Sequence, residues 1–153
     1  MEEIKLMLVD DEERFVRTTS KLLARKGFRV FCALSGAEAL EKLKRNNIHV
    51  VILDVKMPDM DGIAVLKEIK RSFPLVEVIM LTGHGTLESA VEGLKSGATD
   101  YLTKPTDIDD LIVRVKEAFE KRRRLEEKIR MAHTKLYMGS SKHVSKPNND
   151  SLL

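Results

Sequence analysis

Val50-Val51-Ile52-Leu53 is an unbroken apolar run, largely β-branched, that stops abruptly at Asp54. A strand with one wet face alternates apolar and polar residues. A run without alternation needs cover on both faces, as in a parallel sheet sandwiched between helices. Ile4–Val9 reads as a similar strand and stops at Asp10-Asp11. Three more strands are expected at Phe28–Cys32, Val76–Leu81 and Asp100–Thr103. Between them, apolar residues recur at helical spacing: Phe15, Val16, Leu22 and Leu23; Ala37, Leu40 and Leu43; Ile63, Leu66 and Ile69; and the stretch 88–96. A last helix starts near Asp107 and carries Ile108, Leu111, Ile112, Val115 and Phe119. Punctuation agrees: Lys26-Gly27, Asn46-Asn47, Pro74 and Gly97 follow helices, Pro58 and Gly62 break a loop, and Ser35 with Glu38 forms a capping box. The order βαβαβαβαβα predicts an α/β fold, a doubly wound five-stranded parallel sheet with helices on both faces.

Composition narrows the class. The 153 residues are 42% apolar and 33% charged, enough to build one core of ordinary domain size. No apolar run approaches the roughly 20 residues of a membrane span, so no membrane partner is expected. The acidic start Met1-Glu2-Glu3 lacks a basic signal-peptide opening. A single cysteine, Cys32, fits a reducing cytoplasm and packing as a small apolar residue. Residues 1–118 carry 18 basic and 20 acidic side chains, whereas residues 119–153 carry nine and four. The net charge of +3 therefore belongs to the tail, and a nucleic-acid surface across the domain is not expected.

In such sheets, ligands bind at the carboxyl ends of the strands. The residues there are Asp10 and Asp11, Asp54, Thr82 and Lys104. Each has an ordinary reading: a turn-forming or capping Asp, a β-favouring Thr, a solvated Lys. Together they bring three carboxylates, a hydroxyl and an ammonium to one edge. Two carboxylates about 4 Å apart repel by ~4 kcal/mol at an effective dielectric near 20. The cluster calls for a cation or for protonation, and oxygen ligands in an open site suit Mg²⁺.

The motifs LMLVDDEE, VILDVKMPDMDG, VIMLTGHG and DYLTKP, in that order, resemble the receiver domain of two-component response regulators, the CheY-like fold. The resemblance spans roughly residues 2–120, and LTGHGTLESAVEGLKSGATDYLTKP looks most like NtrC-type receivers. It implies that Asp54 is the phosphoacceptor, taking a phosphoryl group from a sensor histidine kinase or phosphotransfer protein. It implies Mg²⁺ held by Asp11, Asp54 and the Lys56 backbone carbonyl, with Asp10 acting through a metal-bound water. Lys104 would pair with the phosphoryl oxygens and Thr82 would bond one of them after transfer. Tyr101 would then move inward, and Pro105 would be a cis-proline that aims Lys104. Lys56 and His84 would border the pocket mouth and tune phosphoryl lifetime, or be merely solvated. By this resemblance the chain is a signalling domain that catalyses its own phosphorylation and dephosphorylation, not an enzyme with a separate substrate.

Two other classes share the architecture. A metal-dependent phosphatase with Asp54 as nucleophile would want an acid two residues on, where Lys56 stands. A flavin carrier would want a Ser/Thr/Gly-rich phosphate loop where Asp10-Asp11-Glu12-Glu13 stands. No GxxxxGK[ST] loop occurs, and about 30 tail residues are too few for a three-helix DNA-binding module. The chain reads as a stand-alone receiver or as one cut from a longer regulator, its downstream protein partner unnamed. Residues 121–137 read as a helical extension. Leu125, Ile129, Ala132 and Leu136 continue a 3.5-residue seam that either pairs two chains as a homodimer or frays. Arg122 is expected to interrupt that seam, Lys121–Arg124 to be a solvated face, and residues 138–153 to be a disordered tail.

Overall fold

A computed structural model describes residues 2–57, 60–83 and 85–145. His84 and Pro58 lie outside the described residues. The elements are β1 (Lys5–Val9), α1 (Glu13–Arg25), β2 (Arg29–Ala33), α2 (Gly36–Arg45), β3 (Val50–Leu53), β4 (Lys56–Met57), β5 (Met60–Asp61), α3 (Gly62–Ser72), β6 (Glu77–Thr82), α4 (Leu87–Lys95), β7 (Asp100–Thr103) and α5 (Ile108–Ser145). Five strands form one parallel sheet in the order β2-β1-β3-β6-β7. The expected order of elements holds, with one addition. β4 and β5 pair as two short antiparallel strands in what reads from the sequence as loop.

The apolar strands divide their side chains between two cores. Leu6, Leu8, Val50, Ile52, Ile79 and Leu81 join Val16 and Leu23 of α1 and Leu111, Val115 and Phe119 of α5. Met7, Val9, Val51, Leu53, Val78 and Met80 join Ala39 and Leu43 of α2 and Ile63, Leu66 and Ile69 of α3. The alternation of period two is present after all, but both of its faces are dry. Ser35 caps α2, its Oγ accepting the Glu38 N–H at 3.1 Å. The Glu38 carboxylate reaches one residue further back than a capping box requires, accepting the Leu34 N–H at 2.8 Å. α1 ends where expected, with Gly27 at φ 100°, a backbone region that costs a side chain-bearing residue energy.

The chain divides into two compact units, Met1–Arg122 and Arg123–Leu153. Two expectations about the tail need correction. Arg122 does not interrupt a solvent-facing seam, nor is it part of a solvated run. It is buried in the first unit, donating from Nη1 to the Ile48 carbonyl at 2.8 Å and from Nη2 to Asn47 Oδ1 at 3.3 Å. A guanidinium can be buried there because the loop entering β3 offers it oxygen acceptors. Helix α5 also continues to Ser145, past the expected end at Tyr137. Residues 146–153 lie outside the described residues.

Replacing Arg122 by Ala strips a charged donor from a buried carbonyl, and such losses cost about 2 kcal/mol. Urea unfolding of Arg122→Ala should show a lowered midpoint with unchanged slope. A loss below about 0.5 kcal/mol, the level of an ordinary surface change, would contradict the anchoring role.

Candidate functional site

Strand register builds the site. Val9 of β1 pairs with Leu53 of β3, and Leu53 with Met80 of β6. Asp10 and Asp54 are the next residues along their strands, and the Asp54 N–H still bonds the Val9 carbonyl at 2.9 Å. Thr82 pairs with Thr103 of β7. The Lys104 N–H bonds the Thr82 carbonyl at 2.8 Å, which brings Lys104 to the same edge. Oxygens of Asp10, Asp11 and Asp54 all lie within 4.8 Å of one another. Asp10 and Asp54 are buried and Asp11 is exposed. The Lys104–Pro105 bond is cis.

Each acid is held differently. Asp10 Oδ1 accepts the Glu12 N–H at 2.9 Å and Oδ2 accepts Lys104 Nζ at 2.6 Å. Asp54 has lesser help: a hydrogen bond from the wholly buried Thr82 side chain and a long one, 3.4 Å, from the Lys56 N–H. Burial, and then the charge of Asp10, push the Asp54 carboxyl above its ordinary range. Thr82, Lys104 and the Lys56 amide oppose them without cancelling the shift. Burial alone would lower the Lys104 pKa. Its bonds to Asp10 and Glu12, with the charges of Asp10 and Asp54, outweigh burial and raise it.

The chain after Asp54 is pinned by a glycine. The Gly62 N–H bonds the Val55 carbonyl at 2.8 Å, and a Cβ at residue 62 would stand 2.3 Å from that oxygen and 2.6 Å from the Asp54 carbonyl oxygen. No side chain fits there without moving the backbone next to Asp54. Tyr101 is partly buried on β7, and its hydroxyl lies 2.8 Å from Ser89 Oγ of α4. A Cβ at Gly85 would fall 2.9 Å from the Tyr101 hydroxyl, so the β6–α4 connection passes close over the ring edge.

The structure thus gathers Asp10, Asp11, Asp54, Thr82 and Lys104. Lys56 contributes its backbone beside Asp54, and its side chain is exposed. Tyr101 stands apart, against the β6–α4 connection. Two details add to the sequence reading. The Thr82 side chain acts as a donor toward Asp54 and opposes the rise of its pKa, as a buried carboxylate requires. Lys104 is engaged by Asp10 and by Glu12, at 2.8 Å, with its ammonium 4.1 Å from the Phe15 ring centroid. Neither Glu12 nor Phe15 stands out in the sequence as a partner of Lys104. The one signal is that Glu12 lies two residues beyond Asp10.

The model of the response regulator receiver domain family matches residues 6–116. The chain belongs to that family. It is 42% identical over 115 residues to the transcriptional regulatory protein ZraR of Escherichia coli, covering 75% of this chain and 26% of that protein. The regulatory protein AtoC of the same organism is 39% identical over 116 residues, 76% of this chain and 25% of that protein. Among solved structures, a CheY-like receiver domain protein from Methanospirillum hungatei superposes with a TM-score of 0.77 at 29% identity, covering 80% of this chain and 98% of that one. NtrX from Brucella abortus gives 0.79 at 30% identity, over 85% of this chain and 30% of that one. The receiver thus spans about a quarter of the curated relatives it matches. The chain is a receiver of two-component signalling, similar to those of NtrC-type regulators. The phosphatase reading finds no support.

A raised carboxyl pKa in the folded state means that the fold binds the Asp54 proton more tightly than the unfolded chain does. That contribution to stability is full below about pH 4 and is lost as pH rises through the folded value. In chelator, Asp54→Asn should therefore match the parent near pH 4 and be more stable than it at pH 7. Thermal melts across that range check it. A variant less stable than the parent at pH 7 would contradict the assignment of Asp54 as the strained group.

Proposed function

We propose that Asp54 accepts a phosphoryl group from the phosphohistidine of a sensor histidine kinase or phosphotransfer protein, and that Thr82 and Tyr101 convert this event into a change of surface. The observation that carries the reading is Asp54 itself: a buried carboxylate, short of compensating charge, at the end of the central strand and bonded by Thr82. An Asp54 oxygen supplies the electron pair for the new P–O bond, and the donor leaves with the pair from the bond that breaks. The requirements are alignment and positive charge, not proton removal. Lys104 supplies one such charge.

The donor set fits Mg²⁺: all oxygen, strongly anionic and exposed on the Asp11 side. Asp11, Asp54 and the Lys56 carbonyl would hold the ion, with Asp10 acting through a water. When bound, it supplies charge neutralisation to the cluster and to the phosphoryl oxygens. Phosphorylation takes the residue-54 side chain from one negative charge to about two and adds acceptor oxygens. Thr82, already bonded to Asp54, follows the new oxygens. Tyr101 follows Thr82 inward and gives up its contact with Ser89.

The relatives are named as transcriptional regulatory proteins, which counts against the expectation of no nucleic-acid partner. We infer that the output is transcriptional control, reached through a partner or an adjoining domain. No described helix is long and apolar enough to cross a membrane. A cytoplasmic site of action is inferred from the receiver family to which the chain belongs. A second copy of the chain is the proposed partner of the seam on α5, where Leu125, Ile129 and Leu136 are exposed.

With acetyl phosphate and Mg²⁺, intact mass should rise by one phosphoryl group, and Asp54→Asn should gain none. Equal labelling of the variant would overturn the acceptor. Sedimentation of the full chain at high micromolar concentration should show dimer, and Ile129→Lys should shift it to monomer. Identical monomeric behaviour of both would reduce the seam to an unpaired amphipathic face.

A further inference from the structure

Lys104 has more partners than a phosphoryl-binding role requires. Its side chain is 14% exposed, and its ammonium is shared between Asp10 Oδ2 at 2.6 Å and Glu12 Oε1 at 2.8 Å. The ammonium also lies over the Phe15 ring, 4.1 Å from the centroid. Glu12 stands at the N-cap position of α1, its side chain making no capping bond, and Phe15 is in that helix's first turn. Asp54 acts on the ammonium only through its charge, with no hydrogen bond between them among the described contacts. Two of the three ammonium donors are thus committed to the chain segment leading into α1. The ring holds the group there by cation–π attraction.

We propose that Glu12 is a positioning residue for phosphoryl transfer: with Phe15 it holds the Lys104 ammonium on the α1 side, so that Lys104 reaches the incoming phosphoryl group only on release from Glu12. This rests on the reading of Asp54 as acceptor. In the step concerned, an Asp54 oxygen forms the new P–O bond while the P–O bond to the donor breaks. With acetyl phosphate, acetate leaves with that electron pair. Negative charge therefore builds on the phosphoryl oxygens and the leaving oxygen, and a Lys104 N–H aimed at them speeds the step. An N–H spent on Glu12 does not. The Glu12 side chain is 64% exposed, so water screens the pair and the hold is weak. A weak hold suits a brake that the phosphoryl group itself releases.

The test uses the full chain with acetyl phosphate and Mg²⁺, following intact mass over time at a series of donor concentrations. Glu12→Gln keeps the side chain's size and removes its charge. It should raise the limiting phosphorylation rate about two- to fivefold, the range a half-screened ion pair allows, with little change in the donor concentration at half-maximum. Removing a negative charge also weakens repulsion of the anionic donor, and a second background separates the two effects. In Lys104→Met, Glu12→Gln should have no effect on the limiting rate if it acts through Lys104. Equal acceleration with and without Lys104, or no acceleration in the parent, would overturn the proposal. Phe15→Leu, which keeps an apolar side chain but removes the ring, should shift the rate in the same direction as Glu12→Gln, and a slower rate would count against the hold. Labelling of Asp54→Asn would instead overturn the acceptor reading, so the two failures are distinguishable.

Discussion

Three carboxylates held within a few ångströms by strand register are the constraint on which the site depends. Asp10 and Asp54 cannot separate, because each follows directly on a paired, buried apolar run, Leu6–Val9 and Val50–Leu53. Moving either would break a ladder whose both faces are dry. Their repulsion, a few kcal/mol at ~4 Å, is therefore fixed by the backbone. The surrounding groups answer it. Lys104 neutralises Asp10, Thr82 donates to Asp54, and the Asp54 carboxyl is still pushed upward by burial and by Asp10. Such an arrangement suits a cation, or a phosphoryl group with its own cation.

The opposite end of the sheet shows how the same chain treats buried charge when no chemistry is required. Glu77 opens β6 almost fully buried, accepts a hydrogen bond from the Thr99 hydroxyl and has Lys121 Nζ at 3.5 Å. His49 accepts the Lys5 N–H at 2.9 Å on Nδ1 and packs edge-on against Phe119. Arg122 satisfies the Ile48 carbonyl. Every one of these groups meets a complementary partner on a neighbouring element, as buried polar groups in structural roles do. The contrast with the acid cluster, where like charges face each other, separates the functional edge from the structural one on physical grounds.

The sheet is legible in the sequence because uniformly apolar runs admit few other folds. The acid edge is legible because strand ends can be read from where those runs stop. What is hidden depends on contacts between residues far apart in the chain. Glu12 and Lys104 are 92 positions apart and Arg122 and Ile48 are 74, and no local pattern marks either pair. Arg122 misleads because a heptad reading assigns it to a seam, whereas the receiver core claims the same helix face down to that residue. The Ser89–Tyr101 contact is hidden for the same reason: Ser89 reads locally as a helix-start residue, which it also is, bonding Thr86 in a capping box. The antiparallel pair β4–β5 fails the usual strand signals because its strands are two residues each.

The central claim, that fixed carboxylate repulsion defines the site, is tested most directly by the response of the melting temperature to Mg²⁺ in the full chain. An ion that binds only the folded state raises the transition by mass action. It should do so here at millimolar Mg²⁺, with the rise lost in Asp11→Ala and retained in Glu12→Gln, which leaves the three clustered acids intact. A melting temperature indifferent to Mg²⁺ in the parent chain, or an equal rise in Asp11→Ala, would contradict the account.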